Sequence, residues 1–263
     1  LDVGVGEIAV TDPLDYPVEL NEHYVVSVAV SGGVPSSQGI GNNGTNTAGD
    51  VAALETVDGE NEPSFRVVKW VAVEGPPQRA VALLGDSIGN GAYALTRDDR
   101  LTVVAQAALG FPVVDASAGG DGIERALARI DRDVLQLPSL TDCIVQVGTN
   151  DLHRGDLQFM IDNFSKAFQQ LRAGGVRAWG ATLMPKGDGI LSAQAELTRQ
   201  QMNAFIKSTP LVDGVVDFAA ALADPNDPTR PDPAKISRDG IHPNDAGQHA
   251  MADAIVAAFR GAR

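Results

Sequence analysis

Four short polar clusters in this chain hold the residue types that acyl transfer requires. That reaction needs a nucleophile, a base to take its proton, and donors for the charge that develops on the carbonyl oxygen. Ser87, in Gly85-Asp-Ser87, is the candidate nucleophile. It stands between an apolar run and an expected helix, where free backbone N–H groups favour negative charge. Taken alone, a serine in that place reads at least as well as a helix N-cap. His242 is the candidate base, because its turn-rich segment Asp239-Gly-Ile-His242-Pro243 can present a side chain to a crevice. Asp239, three residues earlier, can accept from Nδ1–H, fix the tautomer and stabilise the imidazolium. The other histidines, His23, His153 and His249, lack such a setting and read as surface or partly buried residues.

The oxyanion donors would be the backbone N–H of Ser87, a glycine N–H from Gly119-Gly120, and the side-chain amide of Asn150 in Gly148-Thr-Asn150-Asp151. Glycine suits the second role because a substrate must come close to the backbone there. Singly, each of these is also a turn or cap residue. With the order Ser…Asp…His and acid and base only three apart, the set is separated by that spacing from the nucleophile-elbow hydrolases, whose acid and His come from separate loops. Asp86, Asp121, Asp151 and Asp239 could surround a cation, but no H-E-x-x-H or Cys/His ligand spacing accompanies them. The glycine-rich loops lack the lysine of a P-loop.

The elements that must position these clusters are legible after Gly75-Pro-Pro77. Apolar runs at 80–84, 111–114, 143–147, 176–181 and 215–218 read as strands buried on both faces of a parallel sheet. Helical stretches alternate with them, at 92–108, 123–135, 157–173, 195–207 and 244–260, the last with Asn244 as N-cap. This alternation predicts a three-layer α/β fold with right-handed crossovers over residues 79–263. In such sheets the crevice lies at the carboxyl ends of the strands, where all four clusters fall. Their convergence from distant parts of the chain outweighs the capping reading of any one of them. Residues 224–233 are too rich in proline for a helix or central strand. Residues 1–75 differ: β-like runs at 7–10, 24–30 and 65–73 flank a Gly/Ser/Asn/Thr-rich loop at 31–50, which predicts a small β-rich accessory module.

Composition narrows the partners. With 34 acidic against 20 basic side chains, the net charge of −14 disfavours nucleic acid and anionic membrane surfaces. No apolar run approaches the roughly 18 residues that cross a bilayer, so no stable membrane insertion is expected. The one cysteine, Cys143, lies in an apolar run and reads as a small buried hydrophobe. The chain begins at Leu1 without Met and reads as a processed or trimmed product. Nothing in the sequence signals an oligomeric state.

The blocks Gly85-Asp-Ser87, Gly119-Gly120, Gly148-Thr-Asn150-Asp151 and Asp239-Gly-Ile-His242-Pro-Asn244 resemble, in order, four motif blocks of the SGNH (GDSL-type) hydrolases, over about residues 79–260. That resemblance implies a flavodoxin-like sheet, no cofactor, Ser87 as nucleophile, His242 as base, Asp239 as its orienter, and Ser87, Gly120 (or Gly119) and Asn150 around the oxyanion. Residues 129–135, 180–185 and 215–218 are further similar to secreted actinobacterial-type members with a β-rich N-terminal region, which implies export. The continuation Ile88-Gly-Asn-Gly91 departs from the Thr-Asp-Gly common there. The expected function is a serine esterase acting on short acyl groups of small or carbohydrate esters. Lipase, lysophospholipase or thioesterase activity on longer chains is the alternative within the class. A non-catalytic carbohydrate-binding module is the alternative outside it.

Overall fold

A computed structural model of the chain describes residues 79–261, together with Asp15 and two short segments, β1 (Gly44–Asn46) and β2 (Glu60–Glu62). These two pair antiparallel, Gly44 opposite Glu62. Among the described residues, the expected loop at 31–50 therefore carries one three-residue strand. The expected strands at 7–10, 24–30 and 65–73, and with them most of the accessory module, lie outside the described residues.

Five parallel strands form the main sheet: β3 (Val81–Gly85), β4 (Val113–Asp115), β5 (Asp142–Gln146), β6 (Arg177–Ala181) and β7 (Gly214–Val216), in the order β4-β3-β5-β6-β7. This is the flavodoxin-like order, with β3 and β5 side by side at the switch point. Side chains alternate across the sheet as the two-residue period demands. Ala82, Leu84, Cys143, Val145 and Ala178 pack on one face with α2 (Ile123–Ala128), α3 (Leu157–Ala173) and α4 (Ala193–Ser208). Val81, Leu83, Ile144 and Trp179 pack on the other with α1 (Leu101–Leu109), α5 (Phe218–Leu222) and α6 (Asp245–Gly261). Both faces are covered, which explains why the strands read as continuous apolar runs. Cys143 is buried, and burial pushes its thiol up to about 12, so it packs as a hydrophobe.

Several expected boundaries move, each for a local reason. The helix expected from 92 begins only at Leu101, whose N–H donates to Gln248 Oε1 of α6 at 3.1 Å. Before it, Gly91 (φ 78°) and Tyr93 (φ 70°) turn the chain out of helical geometry, and Leu95 N–H donates to Asp245 instead. The single helix expected over 123–135 is two pieces, α2 and a widened π turn at Asp131–Leu135, broken at Arg129. The strand expected over 215–218 stops at Val216, because Asp217 caps α5 by accepting from Ala220 N–H. The proline-rich stretch holds a small antiparallel hairpin, β8 (Ala223–Asp224) with β9 (Asp227–Pro231), whose isolation from the main sheet accommodates the prolines. Asn244 caps α6 as expected, accepting from Gly247 N–H at 3.0 Å.

Candidate active site

The carboxyl ends of β3, β4 and β5, with the loop before α6, meet at one edge of the sheet. Ser87 follows β3 in a turn, not as the cap of a helix. Asp86 Oδ1 accepts from Ile88 N–H at 2.9 Å, and Gln248 of α6 donates to the Ile88 carbonyl at 3.2 Å. Two glycines make this turn possible. A Cβ on Gly85 would stand 2.5 Å from Ser117 Oγ, and one on Gly89 2.5 Å from Gln146 Oε1. A side chain at either place would have to displace those of Ser117 and Gln146.

Ser87 Oγ lies 2.8 Å from His242 Nε2, and His242 Nδ1 lies 2.6 Å from Asp239 Oδ2. With the proton on Nδ1, held by the carboxylate, Nε2 is left to accept from the serine hydroxyl. Asp239 Oδ1 accepts from Ser237 Oγ, Ile241 N–H and His242 N–H at 2.6, 2.8 and 3.0 Å. Partial burial pushes this carboxyl up, but the His242 N–H, the Ser237 hydroxyl, the imidazole and the Ile241 N–H outweigh it and hold Asp239 well below the usual carboxylate range. Tyr93 stacks on the imidazole from the open side, ring centroids 5.3 Å apart and planes 22° apart. Tyr93 carries a positive φ, an uncommon state for an aromatic residue that the surrounding turn must hold.

Asn150 Nδ2 donates to the Asp121 carbonyl at 2.9 Å; an amide nitrogen carries two hydrogens, so a second remains for a substrate oxygen. Gly120 takes the left-handed conformation (φ 77°), and a Cβ there would meet nothing within 4 Å, so its glycine serves the turn rather than a close packing contact. Gly120 and Asn150 line a polar cleft of about 360 Å³ whose wall includes Glu124, Arg125, His153 and Arg154. The structure thus brings Ser87, His242 and Asp239 into one hydrogen-bonded chain, and Gly120 and Asn150 onto one cleft. The four aspartates considered for a cation turn to separate partners: Asp86 to Ile88 N–H, Asp121 to Arg129, Asp151 to Ile123 N–H, Asp239 to His242. His153 and His249 are exposed, as expected, His249 facing Asp99 at 3.1 Å; His23 lies outside the described residues.

Gly85-Asp-Ser87-Ile-Gly89 also fits the G-x-S-x-G spacing letter for letter, so spacing alone does not separate this site from a nucleophile elbow. The separation lies in Asp239 and His242 sharing one loop.

Three contributors escaped the residue-by-residue reading. Arg129, nearly buried, donates from Nη2 to the Gly85 carbonyl at 2.9 Å, from Nη1 to the Ala116 carbonyl, and from Nε to Asp121 at 2.7 Å. It joins the strand end before Ser87 to the loop that carries Gly120. Tyr93 left no sequence signal, because its conformation depends on the turn around it. Lys186 follows β6 and so answers to the strand-end rule that found the other clusters, but a lysine there reads first as solvated. It is 5% exposed.

The sequence profile of the GDSL-like lipase/acylhydrolase family matches residues 83–250, more than half of the 263-residue chain. No curated protein matches. Among solved structures, a lipase/acylhydrolase from Enterococcus faecalis superposes with a TM-score of 0.59 at 18% identity, covering 70% of this chain and 96% of that one. A psychrotrophic esterase from Pseudoalteromonas sp. gives 0.54 at 16%, covering 69% and 97%. An acetyl xylan esterase gives 0.56 at 21%, covering 68% and 98%. At these identities the superpositions speak to the fold alone.

Proposed function

Because this chain belongs to the GDSL-like lipase/acylhydrolase family, a family of hydrolases acting on esters, we propose that it cleaves carboxylic esters through an acyl-enzyme on Ser87. One observation carries the reading: the unbroken chain from Ser87 Oγ to His242 to Asp239, at 2.8 and 2.6 Å. His242 takes the serine proton as Oγ attacks the carbonyl carbon, and Asp239 stabilises the imidazolium so formed. The oxyanion is met by the N–H groups of Ser87 and Gly120 and by the Asn150 amide. Gly120 is preferred to Gly119 because it shares the cleft with Asn150. Collapse of the tetrahedral adduct expels the alcohol, which takes its proton from His242. Water then attacks the acyl-enzyme by the same route in reverse, releasing the acid.

Small or polar esters, including acetyl groups on carbohydrate, are favoured over long lipid chains. The cleft beside the oxyanion donors is walled by charged and polar side chains, which offer an extended alkyl chain little apolar area to bury. We further propose that the enzyme is exported, by its likeness to secreted members. The test is Ser87→Ala with p-nitrophenyl acetate and butyrate: kcat should drop roughly 10³-fold or more. Turnover at the wild-type rate in that variant rejects the mechanism. An acyl series from acetyl to palmitoyl, run beside acetylated xylan, decides the substrate class, and activity rising steadily toward palmitoyl would favour the lipase reading.

A further inference from the structure

We propose that Lys186 is a positioning residue for the acyl transfer: its buried ammonium braces the loop carrying Asp239 and His242 against the turn carrying Ser87. This rests on the esterase reading above and adds a residue to it.

Four observations converge on Lys186. Its side chain is enclosed, with the residue only 5% exposed, and Nζ donates to the Ile241 carbonyl at 3.3 Å, between the two residues of the Asp–His pair. The next residue continues the brace, as Gly187 N–H donates to the Gly240 carbonyl at 2.8 Å. The two backbones touch there, and a Cβ on Gly187 would stand 2.9 Å from Gly240 Cα. Asp86, fully buried beside the nucleophile, is within electrostatic reach of Lys186. Its Oδ1 accepts from Ile88 N–H and Gln146 Nε2, while its Oδ2 has no hydrogen-bond partner among the described residues, so a nearby cation adds to what offsets its burial.

The charged groups that face Lys186 are Asp86 from the nucleophile turn, Asp239 from the base loop and Arg199 from α4. Arg199 is already matched by Glu196 and the Leu183 carbonyl. The ammonium is therefore within electrostatic reach of two aspartates, one next to Ser87 and one holding His242. A solvated lysine would need none of this, and a purely apolar side chain would pack the same space at lower desolvation cost. The charge fits a role in holding two catalytic loops in register, where a displacement of about 1 Å can cost on the order of 100-fold in rate.

Burial pushes Lys186 down to about 8, against the pull of Asp86 and Asp239. Its charge is thus present below that pH and lost above it. The test is the rate at which a fluorophosphonate labels Ser87, followed from pH 6 to 10 in the whole chain, with p-nitrophenyl acetate turnover measured in parallel. The wild-type labelling rate should fall on the alkaline side near pH 8. Lys186→Met should lower it about 10- to 100-fold at pH 7 and abolish the alkaline fall. Lys186→Arg, charged throughout, should keep more of the rate than the Met variant and lose the alkaline fall. In turnover the Met variant should lose kcat while KM changes less than about threefold.

A wild-type profile flat from pH 7 to 10 overturns the proposal even if no variant folds. Wild-type labelling by a folded Met variant does the same. Either result leaves the esterase reading intact if Ser87 labels and esters turn over. A wild type that neither labels nor hydrolyses overturns that reading and the Lys186 proposal together.

Discussion

Asp239 spends one oxygen on three local donors and turns the other to the imidazole, so it both shapes its loop and sets the tautomer of His242. Asp239→Asn keeps the volume but places a donor or a neutral acceptor against Nδ1; kcat/KM at pH 7 should fall by about 10³- to 10⁴-fold. The same carboxylate ties acidity to stability. Its folded pKa is depressed, so its contribution is present above the ordinary carboxylate range and lost as pH falls through and below that range. Thermal melts of wild type and Asp239→Asn should therefore differ by a constant amount near pH 7, with the gap starting to narrow only as pH falls below about 4. A gap that widens on acidification would contradict this sign. At this scale the sequence was informative where function is local. Asp239 and His242 lie three apart in a turn, and that spacing survives folding unchanged. Tyr93 and Lys186 were illegible because their roles depend on what folds against them: a strained turn in one case, two acidic neighbours in the other.

Between elements, the Arg129 break matters more than a continuous helix would have. An ideal helix across 123–135 would bury its apolar face equally well; the interruption at Arg129 accompanies a guanidinium turned to the carbonyls of Gly85 and Ala116 and to Asp121. Widened π turns often occur at functional sites. Arg129→Met leaves the Ala116 carbonyl and the Asp121 carboxylate without the guanidinium's hydrogen bonds, while the Gly85 carbonyl keeps the Ala118 N–H, and should cost about 3–5 kcal/mol of stability. Activity in the folded fraction should also drop, because the strand end before Ser87 and the Gly120 loop lose one of the ties between them. Equilibrium urea unfolding beside p-nitrophenyl acetate assays separates the two losses. Apolar periodicity foretold the helix but not its break, since Ile123, Leu127, Ile130 and Val134 keep their spacing across it. The late start of α1 was hidden for a related reason. Its first N–H is met by Gln248, a partner 147 residues away that no local pattern announces.

Across the whole molecule, the sheet has a working end and a holding end. At the far end from Ser87, Asp142 is fully buried and accepts from Arg79, Arg177 and Trp179 at 2.7–3.1 Å, while Arg79 also lies over the Phe259 ring. Burial alone would raise the Asp142 carboxyl, yet Arg79, Thr141 and Trp179 hold it below its ordinary range. Asp142→Asn should destabilise the fold by about 3–5 kcal/mol and leave kcat of the folded enzyme unchanged, which melts and initial rates will show. The triad also has a consequence in time. Ser87 and His242 are 155 positions apart, with the β8–β9 hairpin between Ser87 and the loop that supplies Asp239 and His242. A chain emerging from the ribosome carries its serine early but stays inert until the final loop has been made and docked. Cut within the exposed hairpin turn at Pro225-Asn226, the two pieces should each be silent and regain hydrolysis only when they find one another, making this fold a natural two-part reporter of association.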